Sequence, residues 1–178
     1  CPGGALAVSG GADVAAAISA HLTETDADHV VATRDYHIDP GSHFSDEPDF
    51  VRSWPVHCVA GTAGAGFHPE LDITPIEAVF SKGQYSDGYS GFDGVDRDEL
   101  PLPRWLLTHE VREVDVVGLA TDHCVRATAL DAAKSGLRTT VLLNLTAGVS
   151  QHTVDKAVED LTAAGVALRG TPVVAPAG

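Results

Sequence analysis

Short β-rich runs alternate with segments of helical period along most of this chain, and that alternation restricts the fold more than any other feature. Val14, Ile18 and Leu22 recur every four residues and predict a helix over 12–25 with one buried stripe. Val30–Thr33 reads as a strand and Glu77–Phe80 as a second. Leu102, Trp105 and Leu106 mark the buried face of a helix running towards Val111. A strand over Val114–Ala120 and a helix over Asp122–Ser135 follow, with Gly136 as the helix stop. A strand over Thr139–Leu143, a helix over Thr153–Ala163 and a strand over Val166–Arg169 close the pattern, and the tail over 170–178 is expected to be loose. Strands alternating with helices imply βαβ units, right-handed crossovers and an α/β fold with a mainly parallel sheet, all in one domain over 1–178.

In such a sheet, ligands bind beyond the carboxyl ends of the strands. Asp35 and His37, Lys82, and Cys124 each follow a different β-rich run, so all are expected at one edge of the sheet. Cys124 is the most telling of them. The apolar run ends in Ala120-Thr121-Asp122, and the cysteine falls where a helix begins, among backbone N–H groups at the positive end of a helix dipole. That setting is expected to lower the thiol pKa and favour the nucleophilic thiolate. The competing reading is a buried cysteine acting as a small hydrophobe. Lys82 stands at a strand end rather than on a helix face, where it would favour a nearby thiolate; an ordinary solvated lysine is the alternative.

The segment 38–71 is long, irregular and rich in Pro, Gly, His and aromatics, and loops of that length in a compact domain are usually functional or disordered. The spacing Asp35-x-His37-x5-His43-x13-His57 gathers a carboxylate and three imidazoles that suit Zn²⁺, Mn²⁺ or Fe²⁺, although loop histidines are often merely exposed. Cys58, next to His57, offers a further donor, but a buried structural thiol is the ordinary fate of such a residue. Trp54 and Tyr89 would sandwich a flat ring or simply pack. His123 is adjacent to Cys124 but points about 100° away from it on a helix start, which suits substrate contact better than a role as base.

The formal charge of -14 argues against nucleic acid or an anionic membrane as a partner. Cys1, Cys58 and Cys124 form no CxxC pair and leave an odd count, which fits a reducing compartment. No apolar stretch approaches the roughly twenty residues that span a bilayer. The expectation is a soluble cytoplasmic protein that acts on a small molecule, as a monomer or small homo-oligomer.

Four blocks carry a family resemblance: Val31–Gly41 (VATRDYHIDPG), Ser53–Val59 (SWPVHCV), Tyr89–Phe92 (YSGF) and Asp115–Val125 (DVVGLATDHCV). In these the chain resembles the nicotinamidase/pyrazinamidase branch of the isochorismatase-like cysteine hydrolases, in its actinobacterial form, from Cys1 to about Leu168. The resemblance implies three layers, α/β/α, around the sheet. It implies hydrolysis of nicotinamide, and of pyrazinamide-like analogues, to the acid and ammonia through a thioester on Cys124. Lys82 would be the charged neighbour in a Cys-Lys-Asp triad. Asp35, His37, His43 and His57 would hold one divalent ion (Zn, Mn or Fe), and Trp54, Tyr89 and His123 would line the pocket around the substrate ring. Backbone N–H groups of Ala120 and Cys124 would form the oxyanion hole, with a non-proline cis peptide between Leu119 and Ala120.

One part of the pattern has no match. In the family the triad aspartate ends a first, central strand, and no carboxylate near the start of this chain corresponds to it; Asp13 falls inside a predicted helix. The sheet is therefore expected to lack that strand, with the segment that supplies it expected upstream of Cys1. A chain without it is expected to be inactive and poorly folded. Two other readings remain: a hydrolase of this fold acting on another amide or on isochorismate, and an inert metal-binding protein. The complete set of metal donors and Trp54 favour nicotinamide.

Overall fold

Every pairing between strands is parallel, as the alternation predicts. The computed structural model describes residues 3–175. Helix α1 (Gly11–Glu24) precedes strand β1 (Val31–Asp35), and β2 (Ala78–Lys82) lies beside β1 with Asp35 opposite Lys82. Helix α2 (Leu102–Thr108) leads to β3 (Glu113–Leu119), and a π-helical turn (Thr121–Val125) runs into α3 (Arg126–Lys134). Then come β4 (Arg138–Gly148), α4 (Gln151–Ala163), β5 (Ala167–Arg169) and β6 (Val173–Val174).

Strand β4 organises the core. Its Leu142 and Leu145 face Val14 and Ile18 of α1, while Val141 and Leu143 face Ala129 of α3 and Leu161 of α4. Alternation along a strand sends successive side chains to opposite layers, which yields the α/β/α sandwich. Each fully buried Leu or Val there contributes about 1.5–3 kcal/mol. A third cluster, Phe80 with Leu102, Trp105 and Leu106, seats α2 on β2.

The sheet is in two pieces: β1 pairs with β2, and β4 sits between β3 and β5 with β6 on the same strand. Among the described residues no strand joins β1 to β3. A cleft of about 390 Å³ lies between them, lined by Val31, Thr33, Val116 and Leu119 with α1 along one wall and Cys124 among its lining. All five residues of β1 are only half-buried because one side of the strand borders this cleft.

Two elements differ from expectation. Strand β4 continues past Leu143 to Gly148, because a bulge takes the register from Val116–Val141 to Gly118–Thr146 and absorbs the polar Asn144. The tail is not loose throughout: Val173 and Val174 pair with Ala147 and Gly148 of β4. Residues 1–2 and 176–178, Cys1 included, lie outside the described residues.

Candidate active site

The parallel register brings Asp35 and Lys82 to the same edge, at the carboxyl ends of neighbouring strands. Lys82 is buried, and its ammonium donates to the Asp35 carboxylate, to the Gly88 carbonyl at 2.8 Å and to Cys124 Sγ at 3.4 Å. Burial pulls the Lys82 pKa down, but the facing charges of Cys124 and Asp35 outweigh it and hold the value above its ordinary range. The loop after β2 wraps the ammonium tightly. Gly88 has φ 55, and a Cβ there would stand 2.4 Å from Gly83 N, so only glycine lets its carbonyl reach Lys82.

Cys124 sits in the π-helical turn, reached through a cis Leu119–Ala120 peptide. The Ala120 backbone acts to lower the pKa of the Cys124 thiol. The sequence predicts a lowered thiol pKa, and the structure corrects this. Burial drives the Cys124 thiol up, and the Lys82 charge and the Ala120 backbone only oppose that rise. The Lys82 charge is the largest of the influences that oppose the rise.

Two polar residues hold this turn, and the sequence reading missed both. Thr121, fully buried, donates to Thr146 Oγ1 at 2.8 Å, and Thr146 donates on to Leu143 O at 2.9 Å. The Asp122 carboxylate accepts from Val149 N at 3.1 Å, Ser150 N at 3.4 Å and Thr153 Oγ1 at 2.5 Å. The signal was two polar residues placed where an apolar strand turns into an apolar helix. Such residues are buried only when paired.

His37, His43 and His57 are buried and converge, with ligand atoms all within 4.8 Å of one another. His37 donates from Nδ1 to Gly83 O at 2.6 Å, and His57 from Nδ1 to Pro55 O at 2.7 Å. A carbonyl only accepts, so the proton is on Nδ1 and the Nε2 lone pair of each ring is free to ligate. His37 Nε2 and His43 Nδ1 are buried without a hydrogen-bond partner. Buried polar atoms are rarely left so, and a divalent cation satisfies them, so the donor set fits the implied metal. The structure gathers the predicted donors in two groups that share His57. Asp35 accepts from Lys82 through Oδ1 and lies with His57 and Cys58, again within 4.8 Å.

The third part is aromatic. Trp54 donates from Nε1 to Tyr89 OH at 2.8 Å. The His123 ring stacks on Tyr89 at 5.9 Å and 26° and meets Trp54 edge-on at 5.1 Å. Burial lowers the His123 pKa, leaving a neutral ring beside Cys124. The long loop that carries Trp54 is ordered by its own chemistry: Asp49 Oδ1 accepts from Val51 N, Arg52 N and Ser53 N, and Trp54 N donates to His43 O at 2.8 Å. A larger surface groove of about 540 Å³ lies by Leu106, Arg112 and Leu137 and holds none of these side chains.

Known proteins are similar to this chain over most of its length. The nicotinamidase/pyrazinamidase of Mycobacterium tuberculosis is 60% identical over 169 residues, covering 94% of this chain and 91% of that protein. The crystal structure of PnC1 from L. infantum in complex with nicotinate superposes with a TM-score of 0.83 at 36% identity, covering 94% of this chain and 84% of that one. The pyrazinamidase of Pyrococcus horikoshii in complex with zinc gives a TM-score of 0.76 at 34% identity, over 94% and 90% of the two chains. Residues 1–172 match the isochorismatase domain, and the chain belongs to that family.

Proposed function

We propose that this chain hydrolyses the carboxamide of nicotinamide, and of pyrazinamide-like analogues, to the acid and ammonia through a thioester on Cys124. The observation that carries the reading is a buried ammonium, Lys82, hydrogen-bonded to both the Cys124 sulfur and a carboxylate, Asp35. Beside it stands the aromatic wall of Trp54, Tyr89 and His123, suited to a flat ring.

Lys82 stabilises the thiolate as it forms, and the thiol proton is taken up by the Lys82–Asp35 pair. Among the described residues Asp35 is the only carboxylate bonded to Lys82. The sulfur attacks the amide carbon, and the backbone N–H groups of Ala120 and Cys124 receive the developing oxyanion. A donor so placed is worth about 10²–10³ in rate. The amine leaves as ammonia after taking the proton from the Lys82–Asp35 pair. Water then attacks the thioester, releasing the acid and restoring the thiol. Trp54, Tyr89 and His123 hold the ring so that the carboxamide meets the sulfur. A divalent ion held by His37, His43 and His57, with Asp35 at its edge, would supply a Lewis-acid anchor for the ring nitrogen.

The chain is read as a single catalytic domain acting in the cytoplasm on a small molecule, as a monomer or small homo-oligomer. The charge of -14 supports the exclusion of nucleic-acid and anionic membrane partners. Acid quench during turnover followed by intact mass spectrometry tests the chemistry. A nicotinoyl adduct is expected on Cys124 and absent from Cys124→Ala. Turnover with no adduct on any cysteine would refute the thioester.

A further inference from the structure

Trp54 is carried by a loop, and one exposed carboxylate closes the turn that leads into it. Asp49 Oδ1 accepts from Val51 N at 2.9 Å, Arg52 N at 2.8 Å and Ser53 N at 2.8 Å, and from the Ser53 hydroxyl at 3.1 Å. Asp49 N donates back to Ser53 Oγ at 3.0 Å, and Phe50 N donates to Ser53 O at 3.1 Å. A single oxygen thus gathers the backbone N–H groups of 51–53, and these donors hold the Asp49 carboxyl well below the ordinary carboxylate range. Inside the turn Phe50 takes a left-handed φ of 55, a conformation that an aromatic residue keeps only where its surroundings fix it.

Two contacts run from this turn to the aromatic wall. The Phe50 ring meets Trp54 edge-on, with 6.0 Å between centroids and 86° between planes. The Val51 carbonyl accepts from Tyr89 OH at 3.4 Å, and the same hydroxyl accepts from Trp54 Nε1 at 2.8 Å. Trp54 follows the turn directly, and its backbone is bridged to Phe44, so the turn sets where the indole leaves the chain. We propose that Asp49 is a positioning residue for the ring-binding wall: it closes the 49–53 turn, and the turn holds Trp54 and Tyr89 in place for the substrate ring. The proposal rests on the amidase reading given above and deepens it. Among the described residues Asp49 makes no hydrogen bond to Cys124, Lys82 or the wall itself, and it acts through Phe50 and Val51.

Asp49→Ala leaves the N–H groups of 51–53 with water alone, so nothing keeps Phe50 in its left-handed conformation or Val51 O in front of Tyr89. The wall loosens while the Lys82–Cys124 pair is untouched. Binding of the ring suffers, and the chemical step does not. Asparagine keeps the acceptor oxygen that the backbone donors use and therefore rescues the turn.

Steady-state ammonia release and tryptophan quenching test this on the full chain with metal present. In Asp49→Ala the KM for nicotinamide should rise at least about fivefold with kcat within about threefold. In Asp49→Asn both should stay within about twofold of the parent. Acrylamide quenching of tryptophan fluorescence should rise in Asp49→Ala. That rise should vanish when the substitution is made on Trp54→Phe, where Trp105 is the one indole left. A smaller rise in KM, a fall in kcat that outweighs it, or Asp49→Asn as impaired as Asp49→Ala overturns the proposal. So does added quenching that survives on Trp54→Phe. Each of these leaves the amidase reading standing. A chain that shows the expected quenching pattern but releases no ammonia with any metal sinks the amidase reading alone.

Discussion

Asp122→Asn is expected to loosen the turn that carries Cys124. The carboxylate is 7% exposed and takes hydrogen bonds from two backbone N–H groups, Val149 and Ser150, and from the Thr153 hydroxyl. Hydrogen bonds to a charged acceptor are worth about 1.5–3 kcal/mol each. Asparagine keeps one acceptor oxygen but turns an NH₂ towards donors, so one backbone N–H is left buried without a partner. The Thr153 hydroxyl can rotate to accept, which limits the loss. The net cost is about 3 kcal/mol, the penalty for one orphaned donor plus the weakening of the rest. For a domain of this size each kcal/mol moves the midpoint by roughly 2–4 °C, giving a drop of about 6–12 °C. Thermal and urea unfolding read that change. The rate at which iodoacetamide labels Cys124 should change as well, since the sulfur lies two residues along the same turn. Thr153→Val, which removes one donor and leaves the backbone partners in place, should cost about 1 kcal/mol. A midpoint shift under about 2 °C for Asp122→Asn would refute the claim that this carboxylate fixes the turn.

Lys82→Met removes the charge that opposes burial of the Cys124 thiol. The pH profile of Cys124 alkylation should move upward and its rate near neutrality should fall at least about tenfold; an unmoved profile would exclude Lys82 as the thiolate's partner. Burial is the largest cause holding His43, His57 and His123 below the ordinary imidazole pKa of 6.5. The unfolded chain therefore takes up protons near that value that the folded chain resists. In the metal-free chain stability is fully present above about pH 6.5 and is lost as the pH falls below it. A urea midpoint equal or higher at about pH 5.5 than at about pH 7.5 would contradict this sign. Leu161→Ala opens a cavity at a fully buried position shared by α4, β4 and α3, and should cost about 2–5 kcal/mol by denaturant titration. A loss below about 1 kcal/mol would show that the three layers do not meet there.

Much of the fold is legible because helix and strand periods are local properties. Val14, Ile18 and Leu22 mark α1, and the apolar run before Thr121 marks β3, within a residue or so of their observed ends. What was missed depends on contacts between distant segments. Asn144 reads as a strand end, yet the bulge opposite Val116–Gly118 carries β4 past it. Val173 and Val174 are too short a run to announce a strand and are paired only because β4 offers an edge. A π-helical turn has no sequence signature distinct from a helix start, so Cys124 was assigned to the dipole of an α-helix.

The site shows the same division. The residues themselves were visible, since Cys124, Lys82, the three histidines and the aromatics all follow strand ends or lie on loops. Their pairings were not. Spacing groups Asp35 with the histidines, and it does lie beside His57, but its register opposite Lys82, which also brings it to that ammonium, is not visible in the spacing. The roles of Gly83 and Gly88 follow from carbonyls aimed at His37 and Lys82, which no spacing rule encodes.

Ammonia release from nicotinamide by the purified chain, measured beside Cys124→Ala and with Zn²⁺, Fe²⁺ or Mn²⁺ added after chelation, tests the central claim most directly. The predicted result is metal-dependent release that Cys124→Ala abolishes while still binding the metal. Release that persists in Cys124→Ala, or no release with any of the three ions from a folded, metal-loaded chain, would contradict it.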